Sequence, residues 1–256
     1  MDARRAALLD AIGIDRFVTR RGTPEDTSSG GAPADEAEAS VTPTPHAARL
    51  RPMPFTPIPV PDVADADVAT LGWEELQGRV AACTRCALSA TRSQTVFGVG
   101  DRAARWLVVG EAPGADEDRQ GEPFVGRAGQ LLNAMLRAAG LERGEVYIAN
   151  VLKCRPPGNR DPGAEEARCC LPFLHRQIAL VNPDLVLCLG RIAAQNLLGV
   201  DTTLGQLRGR VHRLAPLGKP VIVSYHPAYL LRSPSEKRKS WADLRLAIET
   251  ARGQRA

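Results

Sequence analysis

The sequence predicts an α/β fold, a mostly parallel sheet covered by helices on both faces, and three observations carry that prediction. Four short, nearly continuous apolar runs read as strands, at 105–110, 146–150, 184–189 and 220–225. Stretches with apolar residues at helical spacing lie between them. Glycine, asparagine or His-Pro stands where the runs end, at Gly110, Asn150, Gly190 and His226-Pro227. Strands that are apolar on both sides and alternate with helices close only through right-handed crossovers. In such folds ligands bind beyond the C-terminal strand ends, so a site is expected at those four places.

Each element has a local reason. Residues 1–20 read as a short amphipathic helix through Leu8, Leu9, Ile12 and Phe17. Composition then changes abruptly: 22–68 holds 9 prolines and few large apolar residues. Such a stretch cannot bury enough surface to offset its chain entropy, so 21–66 is expected to be a disordered tether. The folded domain is placed at 67–256. Trp73, Leu76 and Val80 fall at i, i+3, i+7, a helix running into Cys83. Ala128, Leu131, Leu132, Met135, Leu136 and Ala139 repeat the pattern and stop at Gly140, a suitable residue to end a helix. Ala167, Leu171, Leu174, Ile178 and Val181 form the next helix, and 192–198 and 241–248 supply the last two. No internal repeat is visible.

Of 256 residues, 44% are hydrophobic and 24% charged, enough apolar material for a full core. The longest apolar runs are far short of the roughly 18 residues that span a bilayer. The first ten residues hold acids and no unbroken apolar stretch. A cytoplasmic protein is therefore expected, with no membrane partner. The formal net charge is +4, but 22–68 contains 8 acids against 2 arginines, a net of −6, which leaves +10 for the rest. A body this basic suits a polyanionic partner.

Six cysteines in a chain without an export signal point to metal or redox chemistry rather than a disulfide frame. Cys83 and Cys86 form a CxxC; Cys154 follows the second strand, and Cys169-Cys170 opens the next helix. Two further thiols from the same end of the sheet make a four-thiolate site, of a kind that holds a [4Fe–4S] cluster or Zn²⁺. Cys170 lies on the inward side with Ala167 and Leu174, whereas Cys169 shares a face with Arg176, so Cys170 is the expected fourth ligand. Cys188, inside an apolar strand, reads as core.

The segment from Gly110 to Gly129 is rich in glycine and acid at a strand–loop–helix turn. It is neither GxGxxG nor GxxxxGK[ST], so dinucleotide and P-loop readings fail. Glu111, which ends a strand, is a candidate for orienting a water or stabilising a cationic transition state. Asp116 and Asp118 read as a solvated acidic turn. Phe124 is either core or a stacking platform for a planar ring. Asn150 offers an acceptor and donors together, which suits the edge of a base or the capping of a turn. His226 is either a satisfied structural imidazole or, with Pro227 and then Leu230, Leu231 and Arg232, part of an active-site loop that probes DNA, and the basic tract 237–239 either meets phosphates or is a charged lead-in to a helix.

On these residues the chain from about Trp73 onward resembles the family 4 uracil-DNA glycosylases, the iron–sulfur branch of their superfamily. The matching segments are Cys83/Cys86; Gly110-Glu-Ala-Pro-Gly114 with Pro123-Phe-Val-Gly126; Asn150-Val-Leu-Lys-Cys-Arg-Pro-Pro-Gly-Asn-Arg160; and His226-Pro-Ala-Tyr-Leu-Leu-Arg232. The resemblance implies a three-layer α/β/α sandwich around a four-stranded parallel sheet, and a [4Fe–4S] cluster on Cys83, Cys86, Cys154 and Cys170. It places Gly110 and Ala112 near the base, Phe124 on its ring, Asn150 on its pyrimidine edge and His226 at O2. Glu111 is the implied water-positioning carboxylate, with Glu117 as the second candidate, and Tyr229, Leu230, Leu231 and Arg232 are implied to touch DNA. The implied substrate is uracil-containing DNA, single- or double-stranded, and a nucleoid-associated monomer is expected. The resemblance does not cover residues 1 to about 65, whose role stays open; the amphipathic first helix, with the tether, is a candidate for docking a replication or repair protein. A glycosylase of broader deaminated-base specificity and a non-catalytic DNA-binding module are the competing readings. The Glu/Asn/His set argues against the second.

Overall fold

A computed structural model describes residues 67–254. The helix and tether expected over 1–66 lie outside the described residues. The described chain builds a six-stranded sheet in the order β1-β3-β2-β4-β6-β5. Its strands are β1 (Val99–Gly100), β2 (Trp106–Gly110), β3 (Tyr147–Asn150), β4 (Leu185–Leu189), β5 (Val211–Leu214) and β6 (Lys219–Ser224). The helices are α1 (Trp73–Ala81), α2 (Ala115–Gln120), α3 (Arg127–Ala139), α4 (Ala164–Val181), α5 (Arg191–Leu198), α6 (Leu204–Leu207), α7 (Pro227–Arg232) and α8 (Lys237–Gly253).

The four central strands, β3, β2, β4 and β6, are parallel, as the apolar runs predict. Two antiparallel edge strands are added, β1 on β3 and β5 on β6. Every residue of β2 and β4 is buried. Their alternation feeds two cores: Leu107 and Val109 pack with Leu76, Phe173 and Ile178, while Trp106 and Val108 pack with Leu132, Met135 and Leu244. The result is the expected three-layer sandwich, with α1, α4 and α5 on one face and α3 and α8 on the other. Helix α3 ends where expected, at Gly140 with φ 86°. Helix α4 starts at Ala164, so Cys169-Cys170 lies in its second turn rather than at its opening. Among the described residues no helix is long and apolar enough to cross a membrane.

Register sets the site. Gly110 is level with Asn150, and Leu189 with Ser224. The loops leaving β2, β3 and β6 therefore start from the same end of the sheet, with β4 between β2 and β6.

Candidate active site

Those loops enclose a cleft of about 450 Å³, within the usual range for a small-molecule pocket. Glu111, Phe124, Asn150 and His226, from four separate segments, line it together, with Ala112 and Glu117 beside them. Gly110 is placed behind this lining. A Cβ built there would lie 2.7 Å from the Phe124 ring and would also collide with the Asn150 side chain, so only glycine lets both close over the strand end. Asn159 and Arg160, from the loop after β3, line the cleft as well. Neither residue carries a sequence signal of a role in the cleft.

Phe124 is held in an unusual conformation. Its φ is 56°, which a side-chain-bearing residue adopts only when its surroundings enforce it. Two side chains do so. Arg143 donates to the carbonyls of Pro123 (2.7 Å) and Phe124 (3.4 Å). Glu117 accepts from the N–H of Val125 (3.0 Å) and Gly126 (3.4 Å) with one oxygen and from Gly114 N–H (3.0 Å) with the other. Glu117 therefore clamps the start of α2 to the Phe124 loop. Both its oxygens are engaged, which sets it apart from Glu111 as a group for chemistry. Phe124 presents its ring to His226, with centroids 5.4 Å apart and planes 27° apart.

The acidic turn is a helix, α2, rather than a loop, because Glu117 at its third position caps it. Asp118, expected to be solvated, is buried, and both its oxygens accept the Ser93 N–H at 3.0 Å.

Asn150 is 2% exposed, and its carboxamide has no hydrogen-bond partner among the described residues. Asn150 lines the cleft, so its amide is open to a ligand there. Its main chain, by contrast, is firmly held. The Lys153 ammonium, fully buried, donates to the Asn150 carbonyl at 2.8 Å and to Gln177 Oε1 at 2.6 Å. Gln177 in turn donates to the Phe97 carbonyl and the Tyr147 hydroxyl.

Glu111 also lacks a hydrogen-bond partner for its carboxylate among the described residues. Burial, helped by the nearby Asp161 charge and opposed by Arg191, pushes its carboxyl up to about 7. His226 caps α7, and its Nδ1 accepts the Ala228 N–H at 3.2 Å. Burial, aided by the Arg232 charge and opposed by Glu117, pushes its imidazole down to about 4. A neutral ring whose Nδ1 accepts must carry its proton on Nε2. The site thus combines a carboxylate poised near neutrality, a neutral N–H donor, an open amide and an aromatic face.

A family model described as the uracil DNA glycosylase superfamily matches residues 97–245, more than half of the chain. This chain belongs to the uracil-DNA glycosylase superfamily. Within it, the type-4 branch is the near match: the chain is 44% identical over 178 residues to a type-4 uracil-DNA glycosylase of Archaeoglobus fulgidus, covering 67% of this chain and 89% of that protein. A type-4 protein of Thermotoga maritima is 45% identical over 166 residues, 64% of this chain and 85% of its own length. A type-5 uracil-DNA glycosylase of Thermus thermophilus is 35% identical over 152 residues, 52% of this chain and 69% of that relative.

Two further expectations for this superfamily member meet the structure. Of the four residues expected to touch DNA, Tyr229 and Arg232 line the cleft and Leu231 is 37% exposed. Leu230 is corrected: it is 1% exposed, packed into the core that also holds Leu131 and Met135, because its side of the short α7 faces α3. The tract 237–239 forms the first turn of α8, where Lys239 pairs with Glu236 at 3.0 Å.

The cysteines gather at a second hollow, to which the loop after β3 contributes Lys153 and Cys154. Cys83, Cys86, Cys154 and Cys170 line one hollow, together with Cys169, Arg85 and Arg92. Among the described residues the thiols are not drawn into a closed ion site. The donor set nonetheless fits a cluster of soft-metal character. Arg92 donates to Cys154 Sγ at 3.1 Å, and the Lys153 N–H donates to Cys170 Sγ at 3.2 Å, both in the sense that steadies a thiolate. Cys169 instead directs its thiol to Glu165, at 3.4 Å. Burial pushes the Cys170 thiol up to about 12, against the pull of the Lys153 charge and amide.

Proposed function

We propose that this chain excises uracil from DNA, hydrolysing the C1′–N1 bond without a covalent enzyme intermediate and leaving an abasic site. Superfamily membership gives the reaction class, and one observation carries the assignment of roles: Glu111, Phe124, Asn150 and His226 meet in a single cleft. A base within a duplex is out of reach, so deoxyuridine must be flipped in, at a cost of a few kcal/mol. The Phe124 face stacks on the ring. The Asn150 carboxamide, otherwise unsatisfied, accepts from N3–H and donates to O4, a pattern that cytosine reverses. As the glycosidic bond breaks, negative charge grows on the uracil and positive charge on the sugar. The His226 Nε2–H is aimed at O2 of the departing anion, worth about 3 kcal/mol for a well-placed donor. The ionised Glu111 orients the water and offsets the sugar charge.

The thiols of Cys83, Cys86, Cys154 and Cys170 are the residues that would hold a [4Fe–4S] cluster. Its contribution would be structural, fixing the CxxC segment and the loop after β3 to α4. Iron and acid-labile sulfide measured on anaerobically purified protein distinguish it from zinc.

The deciding experiment incubates the protein with uracil-, hypoxanthine- and thymine-mismatch DNA, followed by alkali. Release of uracil, with strand breaks appearing only after alkali, is the expected result. Failure to release uracil removes the assignment, breaks without alkali remove the monofunctional mechanism, and release of hypoxanthine widens the specificity.

A further inference from the structure

Beneath the cleft lies one buried charge that the excision chemistry does not use. Lys153 is 1% exposed, yet its Nζ meets only neutral oxygens, the Asn150 carbonyl at 2.8 Å and Gln177 Oε1 at 2.6 Å. No carboxylate pairs with it among the described residues. Burying an ammonium in this way costs stability, and an apolar side chain of similar size would fill the space at less cost. A charge kept against that cost points to a use.

The surrounding bonds show where the use lies. Beyond Asn150 the chain still pairs with the end of β2: Val151 N–H donates to the Gly110 carbonyl and Leu152 N–H to the Glu111 carbonyl, both at 3.0 Å. The peptide group leaving Asn150 is thus gripped on both sides, its N–H by Gly110 and its carbonyl by Lys153. That peptide cannot turn without giving up one of these bonds, so the direction in which Asn150 carries its side chain is fixed. Lys153 is itself anchored. Its N–H donates to Cys170 Sγ at 3.2 Å, and its carbonyl accepts the Val96 N–H at 2.8 Å. Gln177, which holds the ammonium, donates to the Phe97 carbonyl at 2.9 Å and the Tyr147 hydroxyl at 3.2 Å.

We propose that Lys153 is a positioning residue for base selection: it aims the Asn150 carboxamide, and so sets how well uracil is told from cytosine. The inference rests on the glycosylase reading and adds to it a residue that stands outside the cleft lining. Uracil and cytosine present reversed donor and acceptor patterns, so discrimination depends on how the amide is held. A carboxamide displaced from its place against Gly110 bonds uracil less well and gains room to turn over and accept cytosine.

The test uses full-length, anaerobically purified protein and two duplexes, one carrying uncleavable 2′-fluoro-deoxyuridine and the other 2′-fluoro-deoxycytidine. Each modified nucleotide stands opposite an abasic analogue, so neither base is paired. The readout is the ratio of the two dissociation constants, in which general DNA affinity and stability cancel. Lys153→Met should lower the wild-type preference for uracil about tenfold. Asn150→Ala should lower it too, and adding Lys153→Met to Asn150→Ala should change the ratio by less than about twofold, since both act through one group. Gln177→Leu releases the far side of the ammonium, two helical turns beyond Cys170. It should move the ratio in the same direction, again only where Asn150 is present, and it decides the matter if Lys153→Met fails to fold or to retain iron. An unchanged ratio, or an equal fall with and without Asn150, overturns the positioning role, as does a wild type without preference for uracil. Binding is read without cleavage. A wild type that prefers uracil but releases none therefore overturns the glycosylase reading alone; one that releases uracil while both variants keep its preference overturns the positioning role alone.

Discussion

Replacing Glu111 by glutamine removes a carboxylate while keeping its size, and the pH dependence of uracil release isolates what that carboxylate does. Its carboxyl is raised to about 7 by burial and by Asp161, against the pull of Arg191. A group with that value is ionised in roughly one molecule in ten at about pH 6, and in roughly one in a hundred at about pH 5. The reaction needs the ionised form, so kcat/KM should fall about tenfold per unit below about pH 7. His226, pushed down to about 4, stays neutral across this interval and adds no limb of its own. In Glu111→Gln the limb should disappear, with a loss of about 10²- to 10⁴-fold at about pH 8. Asp161→Asn should move the limb to lower pH, because removing a neighbouring negative charge makes the Glu111 carboxylate easier to form. The assay is uracil release at substrate concentrations well below KM, so that the free enzyme is what titrates. A wild-type profile that is flat from about pH 5 to about pH 8, or a limb that survives in Glu111→Gln, refutes the assignment.

Three further outcomes follow from the same geometry. His226→Ala should slow single-turnover release by about 3 kcal/mol, a factor on the order of 10², equally at all pH values above about 5; a loss within about threefold would remove the donor role. Asn150→Asp should release cytosine from undamaged DNA, since a carboxylate no longer rejects the cytosine amino group, and chromatography of the freed bases would show it. Leu230→Ala should cost about 2–5 kcal/mol in denaturant unfolding and Leu231→Ala less than about 0.5; similar costs would contradict the burial of Leu230 and exposure of Leu231.

The four parallel strands were legible because each carries a run of apolar residues, with polar ones only at the ends. The edge strands were not. Val99–Gly100 has only two residues, and Val211–Leu214 buries just its last. Helix α2 carries no apolar stripe at all; the capping box at Glu117, three residues after Gly114, was the signal available for it. The cleft residues were legible where they terminate strands, as Glu111, Asn150 and His226 do. The supports beneath them were hidden for a different reason. Arg143, Lys153 and Asp118 look like ordinary surface charges in a sequence, and only tertiary packing turns them towards buried carbonyls and N–H groups. Leu230 and Leu231 adjoin on a six-residue helix, too short for periodicity to say which one faces inward.

Lys153 has occupied contacts at both ends: its ammonium grips the Asn150 carbonyl, while its amide faces the Cys170 sulfur. One residue thus acts as a tie-rod between the thiol hollow and the amide that sorts bases. The lysine stem between the two contacts is itself buried, so packing rather than covalent stiffness holds its two ends in place. Loss of either contact would leave a buried lysine with an unmatched end.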